Sequence, residues 1–207
     1  MKVYVVGGSG YTGRELLRIL ERHPKVDDIF VSSTRLKGKR VSDVHPSLES
    51  DLVFTEFDVS YANSCDIVFC CVPHTKSMDI VPDITTNVVD LSADFRLKDP
   101  NVYERYYGVA HSCPNLIDDA VYGLPEYYRE NIKSARLVAN PGCYPTAVIL
   151  ACKPLLDNFG VEYLIADAKS GVSGAGTKKE EELQKFVFDG NLKAYKIVGH
   201  QDRKSVV

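Results

Sequence analysis

A glycine-rich turn near the start of the chain constrains the fold more than any other feature. The β-branched run Lys2–Val6 leads directly into Gly7-Gly8-Ser9-Gly10-Tyr11-Thr12-Gly13. Apolar residues then recur at helical spacing, which predicts the order strand, turn, helix. Glycines at positions 7, 10 and 13 allow a tight turn, a close approach of the backbone to a pyrophosphate, and close packing of helix on strand. The sequence therefore predicts a dinucleotide site at the helix N-terminus, with an ordinary glycine turn as the alternative.

Apolar runs along the first two thirds of the chain predict the strands of a sheet. Ile67–Val72 and Val88–Leu91 are nearly continuous, as expected for strands buried on both faces of a parallel sheet. The shorter runs are Ile29–Ser32, Leu52–Phe54 and Leu137–Ala139. The predicted fold class is α/β, a Rossmann-like and mostly parallel sheet with helices on both faces. Residues 99–128 are predicted to be a long loop that carries short elements.

The pattern changes after Asn140-Pro141-Gly142, and a second domain is expected to begin there. An apolar helix that includes Thr146–Ala151 is expected to bend or end near Pro154. A strand over Tyr163–Ala168, a glycine-rich loop and a charged helical segment from Lys178 are expected to follow. We predict a nucleotide-binding domain over residues 1–142 and the start of a truncated α+β catalytic and oligomerisation domain over residues 143–201.

The residues at the end of the second predicted strand favour one nicotinamide cofactor over the other. Folds that prefer NAD carry a carboxylate here for the ribose hydroxyl, but this chain has Ser32-Ser33-Thr34-Arg35. Hydroxyl groups and a guanidinium suit a 2′-phosphate, so NADP is favoured. A solvated surface arginine is the alternative interpretation of Arg35.

Cys143 is the candidate nucleophile because it alone among six cysteines lies at a predicted strand-to-helix junction. Free amides and the helix dipole stabilise a thiolate at such a position. The other five are expected to be packed thiols or to lie in the uncertain loop, and they are Cys65, Cys70, Cys71, Cys113 and Cys152. The absence of C-x-x-C spacing argues against a zinc site or a disulfide framework, and no metal is expected.

A thiol nucleophile used together with a nicotinamide indicates a thioester route between an acyl group and an aldehyde. The cysteine attacks an activated carbonyl and a leaving group departs. Hydride from the reduced cofactor then gives a thiohemiacetal, which collapses to the aldehyde.

Six segments together resemble the N-acetyl-gamma-glutamyl-phosphate reductases of the semialdehyde dehydrogenase superfamily. The two most specific are Val89-Asp90-Leu91-Ser92-Ala93-Asp94-Phe95-Arg96 and Ala139-Asn140-Pro141-Gly142-Cys143-Tyr144-Pro145-Thr146. The others are Gly7–Leu17, Val72–His74, Tyr122–Glu126 and Asp167–Gly176. The resemblance implies NADPH-dependent reduction of N-acetylglutamyl 5-phosphate to its semialdehyde in arginine biosynthesis, by a cytoplasmic homo-oligomer. Cys143 would be the nucleophile and inorganic phosphate the leaving group.

The resemblance also implies a set of cofactor-binding residues. Those in the glycine turn are Gly7, Ser9, Gly10, Tyr11, Thr12 and Gly13. Ser33 and Arg35 would flank the 2′-phosphate, and Pro73 would line the cofactor cleft. Ser170 and Gly171 would lie near the nicotinamide end.

For the substrate and for proton transfer the resemblance points to three further residues. Arg96 is expected to bind an anionic part of the substrate together with Asn140, while a structural pairing of Arg96 with Asp94 is the alternative. His200 corresponds to the first histidine of a family pair and is the candidate acid–base group, or else a terminal residue without a role.

Three other functions stay open on the sequence alone. An aminoadipyl-phosphate reductase of lysine biosynthesis would use the same chemistry on a different substrate. Aspartate-semialdehyde dehydrogenase shares the mechanism but matches the cysteine and Asp-Phe-Arg segments less well. A non-catalytic NADP-sensing module, with Cys143 merely packed, would explain the glycine turn equally well.

Charge and composition exclude several partners. Twenty-five basic and twenty-eight acidic residues give a net charge of −3, which offers no excess positive field for nucleic acid or an anionic membrane. No apolar run reaches the roughly 18 residues of a spanning helix and no signal peptide precedes Val3, so a cytoplasmic protein is expected.

The last six residues, Asp202–Val207, correspond to what a common sequencing adapter encodes when read in frame (GAT CGG AAG AGC GTC GTG). Residues 202–207 are therefore expected to be a non-native tail on a piece of a longer protein. Expressed alone, such a piece is expected to bind NADP weakly, to aggregate readily and to reduce its substrate poorly.

Overall fold

The computed structural model describes residues 1–176 of the chain. These fall into two compact units, with the division between Asn140 and Pro141. Each unit is built differently, the first around a sheet and the second around one long helix.

The first unit is an α/β sheet of six strands, and every neighbouring pair runs parallel. The strands are β1 (Lys2–Val6), β2 (Asp28–Ser32), β3 (Ile67–Cys70), β4 (Asn87–Asp90), β5 (Val121–Tyr122) and β6 (Leu137–Ala139). Their order across the sheet is β2-β1-β3-β4-β6-β5. The predicted Rossmann-like parallel sheet is confirmed.

Helices connect these strands, as parallel pairing requires. They are α1 (Tyr11–Leu20), α2 (Val41–Val44), α3 (Val59–Asn63), α4 (Ser77–Ile80), α5 (Pro100–Tyr107) and α6 (Pro125–Ser134), with 3₁₀ turns at Val81–Asp83 and Pro114–Leu116.

The sheet is buried on both faces because its side chains alternate between two apolar cores. Val3 and Val5 of β1 pack with Leu17 of α1 on one face. Tyr4 and Val6 of the same strand belong to the core on the other face. The predicted placement of helices on both faces is therefore confirmed.

The parallel arrangement brings the carboxyl ends of all six strands to one edge of the sheet. β1 is the strand at which the order reverses, because β2 lies on one side of it and β3 on the other. In open α/β sheets the crevice beside such a reversal is where ligands bind. The glycine turn follows β1 and so lies at this position.

Two regions of the first unit differ from a simple strand pattern. The run Leu52–Phe54 does not form a strand of the sheet. Val53 makes one isolated β-bridge with Arg40, and Thr55, just after the run, makes another with Ser32. Residues 99–128 carry short elements as predicted, among them α5, which starts after an Asp99 side chain that accepts a hydrogen bond from the Asn101 amide.

The second unit begins with α7 (Cys143–Asn158), followed later by a 3₁₀ turn at Val172–Ala175. The helix does not end at Pro154 but continues for about one more turn, to Asn158. A proline removes one amide donor, but later bonds still form, such as that from the Phe159 amide to the Leu155 carbonyl at 2.9 Å. The Asn158 side chain also donates to the Pro154 carbonyl at 2.7 Å.

The strand expected over Tyr163–Ala168 is also absent. A strand exists only as part of a hydrogen-bonded ladder, and no segment among residues 1–176 pairs with this one. Its apolar side chains are exposed instead, Ile165 at 89%. The segment predicted as helical from Lys178, the candidate His200 and the expected tail 202–207 lie outside the described residues.

Across the part of the chain that the structure describes, no helix is both long enough and apolar enough to span a bilayer.

Candidate active site

The glycine turn is hydrogen-bonded to the last residue of β2 and packs against the residues that follow β3. The amides of Gly7 and Gly8 both donate to the Ser32 carbonyl, at 3.0 and 3.1 Å. Gly7 has φ +76°, and a Cβ on it would lie 2.7 Å from the Cys71 carbonyl oxygen. Position 7 therefore requires glycine, because its φ is positive and because the Cys71 backbone leaves no room for a Cβ.

The other two glycines of the motif have contrasting surroundings. A Cβ on Gly13 would lie 2.5 Å from the Gly8 Cα, so α1 packs directly on the turn. A Cβ on Gly10 would meet no atom within 4 Å. The open space at Gly10 lies at the start of α1, where the first turn of a helix leaves its amides without intrahelical acceptors. This arrangement fits a pyrophosphate on the helix N-terminus.

Two predicted cofactor residues from separate elements meet beside the turn. The Ser33 hydroxyl donates to the Ser9 hydroxyl at 3.0 Å, and the Ser33 amide donates to the Thr55 carbonyl at 3.0 Å. Arg35 lies two residues further on, exposed in the turn after β2. The structure thus places Ser9 and Ser33 together and leaves the Arg35 side chain open to solvent.

His45 supports the turn and was missed by the sequence analysis. Its Nε2 lies 3.1 Å from the Gly8 carbonyl oxygen, to which it donates, and the ring is buried. Burial lowers the pKa of His45, so the ring is neutral at neutral pH. A single histidine just after a short helix carries no motif, so only the tertiary contact reveals it.

Arg96 joins the ends of two strands. Its Nε donates to the Asn140 carbonyl at 2.7 Å, and an Nη group donates to the Leu91 carbonyl at 2.9 Å. The Asn140 amide in turn donates to the Asp90 carbonyl at 2.8 Å. The two predicted substrate residues therefore contact each other at the edge of the sheet that carries the glycine turn. Two guanidinium nitrogens of Arg96 bond to backbone carbonyls there and so stabilise the fold.

Cys143 is the first residue of α7, after Gly142 as N-cap, and its side chain is exposed. All six cysteines are free, and Cys65, Cys70 and Cys113 are buried. Burial raises the pKa of Cys71 to about 12 and that of Cys113 to about 11, which keeps both protonated. Cys143 is thus the thiol with both access to solvent and a helix N-terminus.

Cys143 also lines a cavity of about 420 Å³ within the second unit. One wall is α7, through residues that include Ala147 and Ala151, and the other wall is the segment 165–170. Ser170 lines the same cavity, so the structure brings two predicted site residues of this unit together. Gly171 is the next residue along the chain.

The sheet, its glycine turn and the exposed cysteine define the class of protein as a dinucleotide-binding α/β protein with a thiol at a helix start. The chain belongs to the semialdehyde dehydrogenase family. Residues 2–135 match the NAD-binding domain of semialdehyde dehydrogenases, and residues 143–206 match their dimerisation domain.

Individual relatives agree with this assignment. The N-acetyl-gamma-glutamyl-phosphate reductase of Methanopyrus kandleri is 52% identical over 187 residues, which cover 86% of this chain and 54% of the relative. The reductase of the same name from Nitrosococcus oceani is 46% identical over 100% of this chain and 63% of its own length. The chain therefore spans between about half and two thirds of the length of these relatives.

A solved structure shares the fold. Aspartate semialdehyde dehydrogenase from Francisella tularensis superposes with a TM-score of 0.63 over 94% of this chain and 52% of its own chain, at 18% identity.

Proposed function

We propose that this chain carries the cofactor-binding part and the nucleophile of an NADPH-dependent N-acetyl-gamma-glutamyl-phosphate reductase. The observation that carries the proposal is the exposed Cys143 thiol at the start of a 16-residue helix. The names of relatives that are 52% and 46% identical to this chain favour acetylglutamyl phosphate over the aminoadipyl substrate.

The first step is assigned to Cys143. Its thiolate attacks the acyl carbon, a C–S bond forms, the C–O bond to phosphate breaks, and inorganic phosphate leaves. Cys143 lies at the N-terminus of α7, where the helix dipole favours negative charge. A non-catalytic sensor would not require an exposed thiol at this position.

The glycine turn is assigned to the cofactor. NADPH, when bound, supplies the hydride that converts the thioester to the aldehyde. Gly7, Ser9, Gly10, Tyr11, Thr12 and Gly13 hold its pyrophosphate. Ser33 and Arg35 bind the 2′-phosphate, and Pro73 lines the cleft, while Ser170 and Gly171 face the nicotinamide end.

Further roles complete the proposal. Arg96 and Asn140 contact the substrate, because a guanidinium binds a carboxylate or phosphate through charge-assisted hydrogen bonds. His200 donates the proton to the thiohemiacetal oxygen. The whole protein acts as a homo-oligomer, which the match to a dimerisation domain supports, in the cytoplasm, where six free thiols are the expected state.

The proposed nucleophile is tested by comparing two cysteines of the same helix. Cys143→Ser is expected to lower acyl-phosphate-dependent NADPH oxidation by about a thousandfold or more, while Cys152→Ser retains it. Iodoacetamide labelling of the unmodified chain, followed by peptide mass spectrometry, is expected to modify Cys143 about tenfold faster than Cys152. Equal labelling rates would support the sensing module instead, and full activity of Cys143→Ser would mean that Cys143 is not the nucleophile.

A further inference from the structure

The loop that follows β3 contains a strained residue. Thr75 has φ +70°, and within residues 1–176 it is the sole non-glycine residue with a positive φ. A β-branched residue is strongly disfavoured in this left-handed region. Some interaction must therefore hold the loop Pro73–Lys76, here called the Pro73 loop, in this conformation.

The buried carboxylate of Asp94 provides that interaction. Its Oδ1 accepts from the Thr75 amide at 2.8 Å and its Oδ2 accepts from the Met78 amide at 3.2 Å. Asp94 has no solvent exposure, so these are charge-assisted bonds out of water. One side chain thus binds both the strained residue and the amide three residues further along.

Asp94 is itself fixed by its surroundings. The Tyr103 hydroxyl donates to Oδ1 at 2.8 Å, and His111 Nε2 donates to the Asp94 carbonyl at 2.8 Å. The Asp94 amide donates to the Ser92 hydroxyl at 3.0 Å. With its backbone and one carboxylate oxygen held, the side chain acts as a rigid anchor for the loop.

Two further contacts join the same segments but leave Thr75 untouched. The Ala93 amide donates to His74 Nδ1 at 3.2 Å. Ser77, the residue after the Pro73 loop, donates its hydroxyl to the buried Asp90 carboxylate. The loop also closes on itself, because the Lys76 amide donates to the Pro73 carbonyl at 3.2 Å. Asp94 is the side chain that bonds to Thr75 itself and so ties its left-handed conformation to the rest of the fold.

The Pro73 loop begins beside the glycine turn. Gly7 packs so closely on the residues after β3 that a Cβ there would lie 2.7 Å from the Cys71 carbonyl oxygen and 3.0 Å from a Val72 side-chain carbon. The chain therefore packs on the glycine turn at Val72, immediately before the Pro73 loop starts.

We propose that Asp94 is a positioning residue for the nucleotide site, which holds the Pro73 loop, through the Thr75 amide, in the shape that receives the cofactor. This inference rests on the proposed function, because it takes the ligand of that site to be NADPH. Asp94 touches neither ligand nor reacting atoms in this scheme and acts through the loop.

The test measures the NADPH dissociation constant of the 207-residue chain by fluorescence titration in four variants. Asp94→Asn replaces one acceptor oxygen by an NH₂ group that faces a backbone amide, and is expected to weaken binding about tenfold or more. Tyr103→Phe is the matched comparison, because it removes a bond to the same oxygen but leaves both bonds from Asp94 to the loop, and it is expected to weaken binding much less than Asp94→Asn does. Thr75→Gly supplies the reference affinity against which the double variant is compared.

The double variant Asp94→Asn/Thr75→Gly separates positioning from general stability. Glycine adopts a positive φ without strain, so the loop no longer depends on the carboxylate and most of the lost affinity is expected to return. The inference would be overturned if Asp94→Asn bound NADPH as tightly as the unmodified chain. It would also be overturned if the double variant bound NADPH no more tightly than Asp94→Asn. The unmodified chain is expected to bind NADPH weakly, and an absence of binding at the highest NADPH concentration tested would overturn the proposed function itself.

A measurement on the unmodified chain covers the case in which Asp94→Asn does not fold. Hydrogen exchange without nucleotide is expected to show a protected Thr75 amide, because its acceptor is a buried carboxylate. Exchange of that amide at the rate of an unstructured peptide would mean that Asp94 does not hold the loop.

Discussion

At the scale of single residues, two glycines of one turn differ in what surrounds them. Gly13 lies against the Gly8 backbone, while Gly10 faces open space. A methyl group at position 13 would therefore displace the Gly8 backbone. A methyl group at position 10 would contact no protein atom within 4 Å, only a ligand bound at the turn. The two positions allow the structural and the ligand-binding roles of the motif to be separated.

Gly13→Ala is expected to destabilise the first unit by about 2 kcal/mol, because overpacking against backbone outweighs the gain of about 1 kcal/mol in helix propensity. Gly10→Ala is expected to change the free energy of unfolding by less than about 1 kcal/mol, yet to weaken NADPH binding. Urea unfolding and nucleotide titration of both variants check this. A Gly13→Ala protein as stable as the unmodified chain would contradict the packing argument.

Asp90 gives the first unit a dependence on pH. Burial raises its pKa from the ordinary 3.8 to about 6, despite bonds from Ser77 and Ser92. The folded state therefore binds the proton more tightly than the unfolded state, so stability is present below about pH 4 and is lost as pH rises through 6. A pKa difference of this size corresponds to roughly 3 kcal/mol.

Asp90→Asn removes this ionisation. Relative to the variant, the unmodified chain is expected to lose about 2–3 kcal/mol of unfolding free energy between pH 4 and pH 7. Urea unfolding at a series of pH values measures the difference, with the exposed Asp83→Asn as a control whose profile follows the unmodified chain. Parallel profiles for Asp90→Asn and the unmodified chain would refute the assignment.

At the scale of elements, α7 shows that one proline does not fix the length of a helix. Pro145 lies in the first turn, where an amide would have no intrahelical acceptor in any case. Pro154 lies in the interior, where the missing amide and the ring both cost stability. The helix tolerates the second proline because bonds on either side of it persist.

Pro154→Ala is expected to stabilise α7 by about 1–3 kcal/mol, since it restores an interior hydrogen bond. Pro145→Ala is expected to give no such gain, because its position needs no donor. Thermal unfolding followed by circular dichroism at 222 nm compares the two. Equal stabilisation by both substitutions would show that the interior position carries no special cost.

At the scale of the whole molecule, the two units differ in how well they bury apolar side chains. The first unit has cores on both faces of its sheet. In the second unit Phe159 is 66% exposed, Tyr163 80% and Ile165 89%. Exposed apolar side chains this close together in sequence favour association.

The chain is therefore expected to self-associate through the second unit, in keeping with its match to a dimerisation domain. A Phe159→Ser/Ile165→Ser variant is expected to lower the mean molar mass measured by light scattering at a fixed concentration. Ile19→Ser, which removes an exposed apolar side chain of the first unit, serves as the control and should have little effect. An unchanged mass for the double variant would place the contact elsewhere.

Local sequence determined the elements whose signals repeat over several residues. The β-branched run Lys2–Val6, the glycines that follow and the apolar spacing of α1 each depend on neighbours in the chain, and all three predictions are confirmed. Local sequence also placed Cys143 at the start of a helix, because Pro141-Gly142 separates the strand before it from the helix.

Tertiary structure alone decided what depends on partners distant in sequence. The strand predicted over 163–168 is wrong. A strand needs a second strand to pair with, and the apolar pattern of one segment cannot show whether such a partner exists. β5 was not foreseen because two residues carry too little pattern, and it exists through its pairing with β6. His45 on Gly8, and Asp94 on the strained Thr75, are contacts across 37 and 19 residues of chain. Burial and hydrogen bonding between residues this far apart in sequence result from packing. A motif therefore identifies candidate site residues, while the tertiary structure decides which distant residues hold those candidates in position.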